Sequence, residues 1–390
     1  RFVRESSLLI LVVLFCTVRA NVKVAKSCFT LPIDRTCSVS SSSAHLIVTS
    51  RTKSSVVTVD GDQFETVRTD GPFRSLSEGY TTLYSSYLDQ FIVFGRQRGR
   101  FGRFSSTLVG DLVDYEPSFN GTSSIFINKN ILSIGFVPSN GEGFMKVCDI
   151  EHIPRLDDPL MKASDVIEET KFPDGADVSH VGKGIATIKV EIHAEQTVTM
   201  NLLFVMGDFT VDGKTQTFLK IFQLDDGLGT PKPFCDDGWT NEANKETYKE
   251  TYHNEDGYLS LGDLSKYDYI HCHYDETKQW LFFMSHNKNV GKNSTDTTPC
   301  LYVLKFTSDE HISDKLHIDI EVVEPPSYNY INVESALSFG RVIDSVEDEK
   351  DNIHIVVSAP DAVVQYGDRG YSVGILYHYM YDEALGWVFR

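Results

Sequence analysis

Short apolar runs, each closed by a cluster of turn-forming residues, set the pattern of this chain. Residues 46–48, 91–94, 202–206, 281–284 and 355–357 are continuously apolar, as strands buried on both faces are. Elsewhere apolar and polar positions alternate, at Ile188, Val190 and Ile192 and again at Leu316, Ile318, Ile320 and Val322. That period of two belongs to strands with one face in a core. Between the runs stand Ser139-Asn140-Gly141, Val211-Asp212-Gly213 and Asp236-Asp237-Gly238, where Gly with Asn or Asp supplies the angles of tight turns. Helical periodicity is nearly absent. Only residues 242–250 suit a helix, and they are polar enough to form an exposed loop instead. The expected fold class is all-β.

The runs recur roughly every 40 to 80 residues, and their surroundings recur with them. The clearest self-match sets Leu259-Ser260-Leu261-Gly262 against Leu337-Ser338-Phe339-Gly340. Each is followed by an apolar run and then by a Tyr-bearing strand pattern, Cys300-Leu301-Tyr302-Val303-Leu304 and Gly374-Ile375-Leu376-Tyr377-His378-Tyr379. Repeats of a few short strands each point to the blades of a β-propeller. The irregular spacing leaves a pair of β-sandwich domains open as the alternative.

The first residues alter the setting. Arg1 and Arg4, an apolar run over residues 8–16, and then Val18-Arg19-Ala20 follow the order of a secretory signal peptide cleaved after Ala20. The run falls short of the roughly 20 apolar residues that a membrane span needs. Residues 21–390 are then one propeller domain of a secreted protein or an ectodomain, and a chain that starts at Arg1 reads as a fragment. Six cysteines lie outside the leader: Cys28, Cys37, Cys148, Cys235, Cys272 and Cys300. An even count in an oxidising compartment favours disulfides and leaves many connectivities open. The pairs closing the shortest loops, Cys28–Cys37 and Cys272–Cys300, are preferred. Asn120-Gly121-Thr122 and Asn293-Ser294-Thr295 are glycan acceptors. The chain carries 36 basic against 55 acidic residues, a net charge of −19. That balance excludes nucleic acid as a partner and a polybasic membrane-surface role, both of which need clustered Lys and Arg.

Candidate chemistry is sparse. His271 and His273 would share one face of a strand, with His253 not far off in sequence, which permits a transition-metal site. Cys272 between them reads better as half of a disulfide. The chain has no Gly-x-Ser-x-Gly elbow, His-Glu-x-x-His pair, phosphate loop or dinucleotide fingerprint. A secreted propeller enzyme such as a glycoside hydrolase stays open as a function, without a nameable site.

One stretch carries a family likeness. Ser338-Phe339-Gly340-Arg341-Val342, an acidic segment, Ile355-Val356-Val357-Ser358-Ala359-Pro360, and then Gly374 and Tyr377-His378-Tyr379 resemble the FG-GAP repeat of integrin α subunits. In that repeat Phe-Gly opens the blade, a Gly-Ala-Pro-like turn ends the second strand and a Tyr motif marks the third. Here Ser358 stands in place of the usual Gly. The resemblance implies a seven-bladed propeller that ends at or near Arg390. It also implies an adhesion-receptor ectodomain at the cell surface, with its membrane span outside this fragment. Such a chain pairs with an integrin β-type subunit, binds extracellular matrix or cell-surface protein ligands, and has no catalytic activity. The resemblance further implies calcium in an Asp-rich loop, here Asp344, Asp348 and Asp351 beside Glu347 and Glu349. That loop lacks the usual Gly and contains Lys350, so a solvated acidic loop is the competing reading. Asp208 and Asp212, with Gly213, look calcium-like but follow the buried strand and so fall outside the family's loop.

Secreted protein should lack residues 1–20 and carry glycans at Asn120 and Asn293. Intact mass before and after glycosidase treatment checks both, and an unchanged mass would dispose of the glycan assignment.

Overall fold

A computed structural model describes residues 36–41, 45–50, 54–60, 63–68, 80–95, 100–105, 110–114, 121–139, 142–151, 159–193, 197–225, 228–234, 257–289, 298–308, 316–326, 338–348, 350–366, 369–372 and 375–390. They belong to two compact units, Arg1–Gly121 and Thr122–Arg390. In the first, β1–β4 (Thr36–Ser41, His45–Ser50, Ser54–Asp60, Gln63–Arg68) form one sheet and β5–β8 (Tyr80–Ser85, Gln90–Gly95, Arg100–Ser105, Gly110–Asp114) another. The second unit begins with β9–β12 (Gly121–Asn128, Ile131–Pro138, Phe144–Asp149, Met161–Lys162) and helix α1 (Ala163–Glu168). Strands β13–β16 (Asp177–His193, Thr197–Val211, Lys214–Leu224, Pro231–Pro233) make the next sheet, which β17 (Leu259–Ser260) joins by pairing with β15. Then come β18–β21 (Cys272–Asp275, Trp280–Ser285, Cys300–Ser308, Leu316–Val323). The last sheet orders β22 (Ile343–Glu347) and β23 (Ile353–Ala359), passes over the side hairpin β24–β25 (Val363–Tyr366, Arg369–Ser372), and ends in β26 (Ile375–Asp382) and β27 (Gly386–Phe389).

Within each sheet the strands run antiparallel in chain order, without the crossed connections of a sandwich. The architecture is an all-β β-propeller, built from such meanders. Five sheets have four strands and one has five, so the described residues do not carry the seven blades expected. Each continuously apolar run lies in the second strand of its meander: β2, β6, β14, β19 and β23. A second strand is paired along both edges, so its backbone groups are satisfied; β23, expected to be buried on both faces, instead alternates, with Ile355 and Val357 buried and Val356 between them only half-buried. Strand β19 is buried at every position, and Leu202 to Met206 of β14 are wholly inaccessible. The sequence did not mark α1, which is short and buries only Ala163 and Val166. Residues 242–250 lie outside the described residues.

The repeated Ser-x-Gly segments have one job in two places. Leu261 and Phe339 are fully buried, and Gly262 and Gly340 both take positive φ, 74° and 90°. A Cβ on Gly340 would meet that of Met284 at 2.8 Å, and one on Gly262 the His286 carbonyl oxygen at 2.7 Å. Both turns therefore sit against the end of β19, where only glycine fits. The Ser358 hydroxyl accepts the Val342 N–H at 2.8 Å and so ties β23 to the start of this sheet.

A second close approach joins β10 to β13. A Cβ on Gly135 would lie 2.1 Å from the Gly182 carbonyl oxygen and 2.7 Å from Ser124 Oγ, whose hydroxyl donates to that same carbonyl. Gly135→Ala should therefore cost about 3 kcal/mol or more, the upper range for overpacking. Gly213→Ala, in the β14–β15 turn at φ 72° with nothing within 4 Å, should cost only about 1 kcal/mol of backbone strain. Urea midpoints compare the two, and equal losses would mean that the β10–β13 approach has slack.

Candidate functional site

Three groups of ionisable side chains and one groove in the second unit could carry chemistry. The first group arises from an irregularity. Between Ser179 and Gly184 the register of β13 on β14 slips, and His180 and Gly182 take positive φ, 52° and 98°. Such a bulge re-aims side chains. Lys183 turns inward and its ammonium donates to Asp208 Oδ1 at 2.6 Å and to the Leu264 carbonyl at 2.9 Å. The Thr217 hydroxyl donates to Asp208 Oδ1 at 2.6 Å, and His180 Nδ1 to Oδ2 at 3.1 Å. Burial opposes ionisation of Asp208, but these donors prevail and hold its carboxyl below the usual range. Burial likewise pulls Lys183 down, against the attraction of Asp208. Asp208 is thus a buried carboxylate held by three protein donors. Asp212 sits apart, in the turn after β14.

The second group joins neighbouring sheets. His271 donates from Nε2 to the Ile343 carbonyl at 3.3 Å. Ser345 Oγ donates to Asp275 Oδ2 at 2.8 Å and so accepts from His273 Nε2 at 2.7 Å. An imidazole that donates to a serine cannot draw off its proton, the reverse of nucleophile activation. Both histidines turn toward β22 and bond protein there through Nε2, and among the described residues no third ligand joins them.

Cys272 and Cys300 are free thiols and do not form the expected disulfide. Cys272 is opposite Phe283, and Cys300 opposite Ser285, so they occupy the two strands that flank β19. Two strand spacings come to about 9.5 Å, beyond the roughly 7 Å that a disulfide can bridge. Loop length favoured this pair, but β19 lies between the two cysteines and holds them on opposite sides of itself. Burial pushes the Cys272 thiol up to about 12 and that of Cys148, also free, up to about 11. Cys28, Cys235, His253, Asn120 and Asn293 lie outside the described residues, and of Cys37 only its backbone, on β1, is described.

The third group is the acidic loop. Asp348 Oδ1 accepts the N–H of Lys350 at 2.8 Å and of Asn352 at 3.0 Å. Its Oδ2 accepts Asn352 Nδ2 at 2.9 Å and His354 Nε2 at 3.1 Å. His354 Nδ1 then accepts from His378 Nε2 at 2.9 Å, and the two rings stack. Burial opposes its ionisation, yet these donors together outweigh it and hold the Asp348 carboxyl well below the carboxylate range. Asp344 and Asp351 are exposed, Asp344 on β22 and Asp351 at φ 62° in the turn. The structure does not bring Asp344, Asp348 and Asp351 together. Four N–H donors already point at Asp348, and a calcium ion would be repelled by them. Among the described residues no three His, Cys, Asp or Glu side chains converge as metal ligands.

The groove lies between β21 and the β26–β27 hairpin. It has a volume of about 350 Å³ and is lined by Glu321, Glu324, Tyr379, Leu385 and Trp387, among others. Trp387 donates from its indole nitrogen to Glu321 Oε2 at 3.0 Å, and Lys305 meets Glu321 Oε1 at 2.6 Å. The Lys305 ammonium stands 4.3 Å from the centre of Trp280 and 4.0 Å from that of Tyr381. Trp387 packs edge-on against both rings, while Leu385 is 76% exposed at the hairpin tip. Sequence reasoning missed this groove because its residues come from two sheets. The one local signal was Gly386-Trp387 following Tyr381.

No family model matches the chain, and no curated protein matches it. Solved structures similar to it include a protein from Lactobacillus plantarum, at 11% identity and a TM-score of 0.40 over 94% of this chain and 88% of that one. Another is a thermostable family-43 glycoside hydrolase, at 9% identity and a TM-score of 0.34 over 79% of this chain and 91% of that one. A third is an endo-1,4-beta-xylanase from Bacteroides thetaiotaomicron, at 10% identity and a TM-score of 0.31 over 72% and 92%. At such scores the likenesses carry no inference about activity. None of them is an integrin, and no family or curated match leads to one, so the integrin assignment is corrected. The β-subunit partner, the protein ligand and the adhesion role implied by it do not stand. The motif at residues 338–379 reflects what a blade start demands, a buried Phe339 and a positive-φ Gly340. Among the described residues no helix is long and apolar enough to cross a membrane.

His271 gives the clearest pH signature. Burial depresses its imidazole from 6.5 to about 4, with repulsion from His273 and Arg341 adding and the Ile343 bond opposing. Between those values the unfolded chain binds a proton that the folded chain refuses. Stability should be full above pH 6.5 and fall on acidification, by up to about 3 kcal/mol near pH 4. His271→Gln keeps a donor without the titration and should flatten the pH dependence of the urea midpoint over that window. Parallel curves for the variant and the parent would remove His271 from the account.

Proposed function

We propose that the chain is a secreted β-propeller protein that holds an extracellular ligand in the groove between β21 and the β26–β27 hairpin, without converting it. The observation that carries this reading is the groove's fixed lining. Trp387 and Glu321 are locked in place by the Trp387–Glu321–Lys305 contacts, so a ligand meets a surface whose ordering cost is already met. The leader-like pattern of residues 1–20 supports export.

A second reading, a secreted propeller glycoside hydrolase, draws on one observation: two glutamates, Glu321 and Glu324, share the groove. Sugar cleavage requires a pair of carboxyl groups. Glu321, however, has both carboxylate oxygens engaged, one by the Lys305 ammonium and one by the Trp387 indole N–H. Incubation of secreted protein with xylan, arabinan and chitin fragments, read by release of reducing ends, separates the two readings. No release is expected. Release that disappears in Glu324→Gln would establish the hydrolase instead.

A further inference from the structure

We infer that the groove ligand is a saccharide, specifically a pyranose stacked on Trp387 with its hydroxyls directed at Glu324 and Glu321. This rests on the reading of the groove as a binding surface. An aromatic site flanked by carboxylates suits two ligand chemistries, an organic cation or a sugar. The structure favours the sugar because the cationic position is already filled. Lys305 sits over Trp280 and Tyr381 at 4.3 and 4.0 Å and neutralises Glu321 at 2.6 Å. A second cation in the groove would face that ammonium across the same carboxylate.

What the groove still offers is different in kind. Trp387 is half-buried, its orientation fixed by its bond to Glu321 and by edge contacts with Trp280, Tyr381 and Phe282. The exposed Leu385 extends the apolar platform at the hairpin tip. Glu324, just after β21, is exposed at the groove, where its carbonyl accepts the Tyr379 hydroxyl at 2.9 Å, and Glu321 keeps lone pairs beyond those taken by Lys305 and Trp387. A pyranose presents an apolar C–H face and a polar hydroxyl edge, the same division found between the two walls. The volume of about 350 Å³ lies at the lower end of the range for small-molecule sites.

The test uses the secreted full-length protein, with cellopentaose, xylopentaose and chitopentaose as sugar probes and tetramethylammonium as the cation probe. Binding is read by tryptophan fluorescence and by saturation-transfer NMR. At least one pentasaccharide should bind, and Glu324→Gln and Leu385→Asp should each weaken it about tenfold or more, with unchanged melting temperatures. The tenfold figure reflects, for Glu324→Gln, the loss of one hydrogen bond to a charged group and, for Leu385→Asp, the loss of roughly two methylenes of apolar contact. Both substitutions lie at exposed positions, so folding is not at risk as it would be for Trp387→Ala. Failure of all three sugars to bind, binding that neither substitution weakens, or preferential binding of tetramethylammonium would each overturn the saccharide assignment. Cleavage of a bound pentasaccharide, abolished by Glu324→Gln, would keep the site and the ligand class but overturn the non-converting reading of the protein.

Discussion

The buried ion pair between Lys183 and Asp208 is the constraint on which the second unit turns. Both side chains are 1% exposed, and an isolated charge there would cost several kcal/mol, so each must find the other. The pair forms only if β13 bulges, because a regular strand would aim Lys183 elsewhere. Once formed, it fastens three pieces of chain. Thr217 of β15 is held through Asp208, the segment after β17 through the Leu264 carbonyl, and β18 is approached through the Ile270 N–H on the Lys183 carbonyl at 2.7 Å. A hydrophobic pair of equal volume could match its stability, but it would not specify the bulge or its partners.

The same division of labour recurs along the seam between the sheets of β18–β21 and β22–β27. Their shared core is apolar, with Phe282, Val303, Phe339, Ile355 and Tyr377 packed together. Apolar packing is non-directional, however, and would tolerate a slide of one sheet along the other. Polar contacts remove that freedom: His271 on the Ile343 carbonyl, His273 and Asp275 on Ser345, and Arg341 lying over Tyr269 and Tyr267. Histidines, serines and carboxylates that looked like chemistry are the pins of the assembly. Satisfied polar groups inside a core give specificity, and few of them retain a lone pair for a ligand.

The groove stands apart from these closed networks because its polar groups are only partly used. Lys305 neutralises Glu321 and lies against two aromatic rings, while the Leu385 and Glu324 side chains on the rim are exposed. A lining that is rigid on one side and open on the other is suited to recognition. The acidic loop has the opposite character, since Asp348 spends both its oxygens on the loop that carries it.

Much of the fold was determined by the sequence alone. The continuous apolar runs identify the second strand of their meanders, buried at every position in β19 and from Leu202 to Met206 in β14, and on alternate positions in β23. Gly262 and Gly340, at matching places in the repeat, mark the turns that press against β19. Tertiary structure decided everything that depends on which strands become neighbours. Cys272 and Cys300 look adjacent until β19 is placed between them, and His271 and His273 look like metal ligands until β22 supplies their partners. Glu321, Lys305 and Trp387 are separated along the chain and carry no mutual signal. Local pattern reports what a residue needs, burial or a turn or a partner, because those needs act over a few residues. Which partner meets the need is settled only when distant strands pack, and a side chain's role as pin or as binding surface follows from that choice.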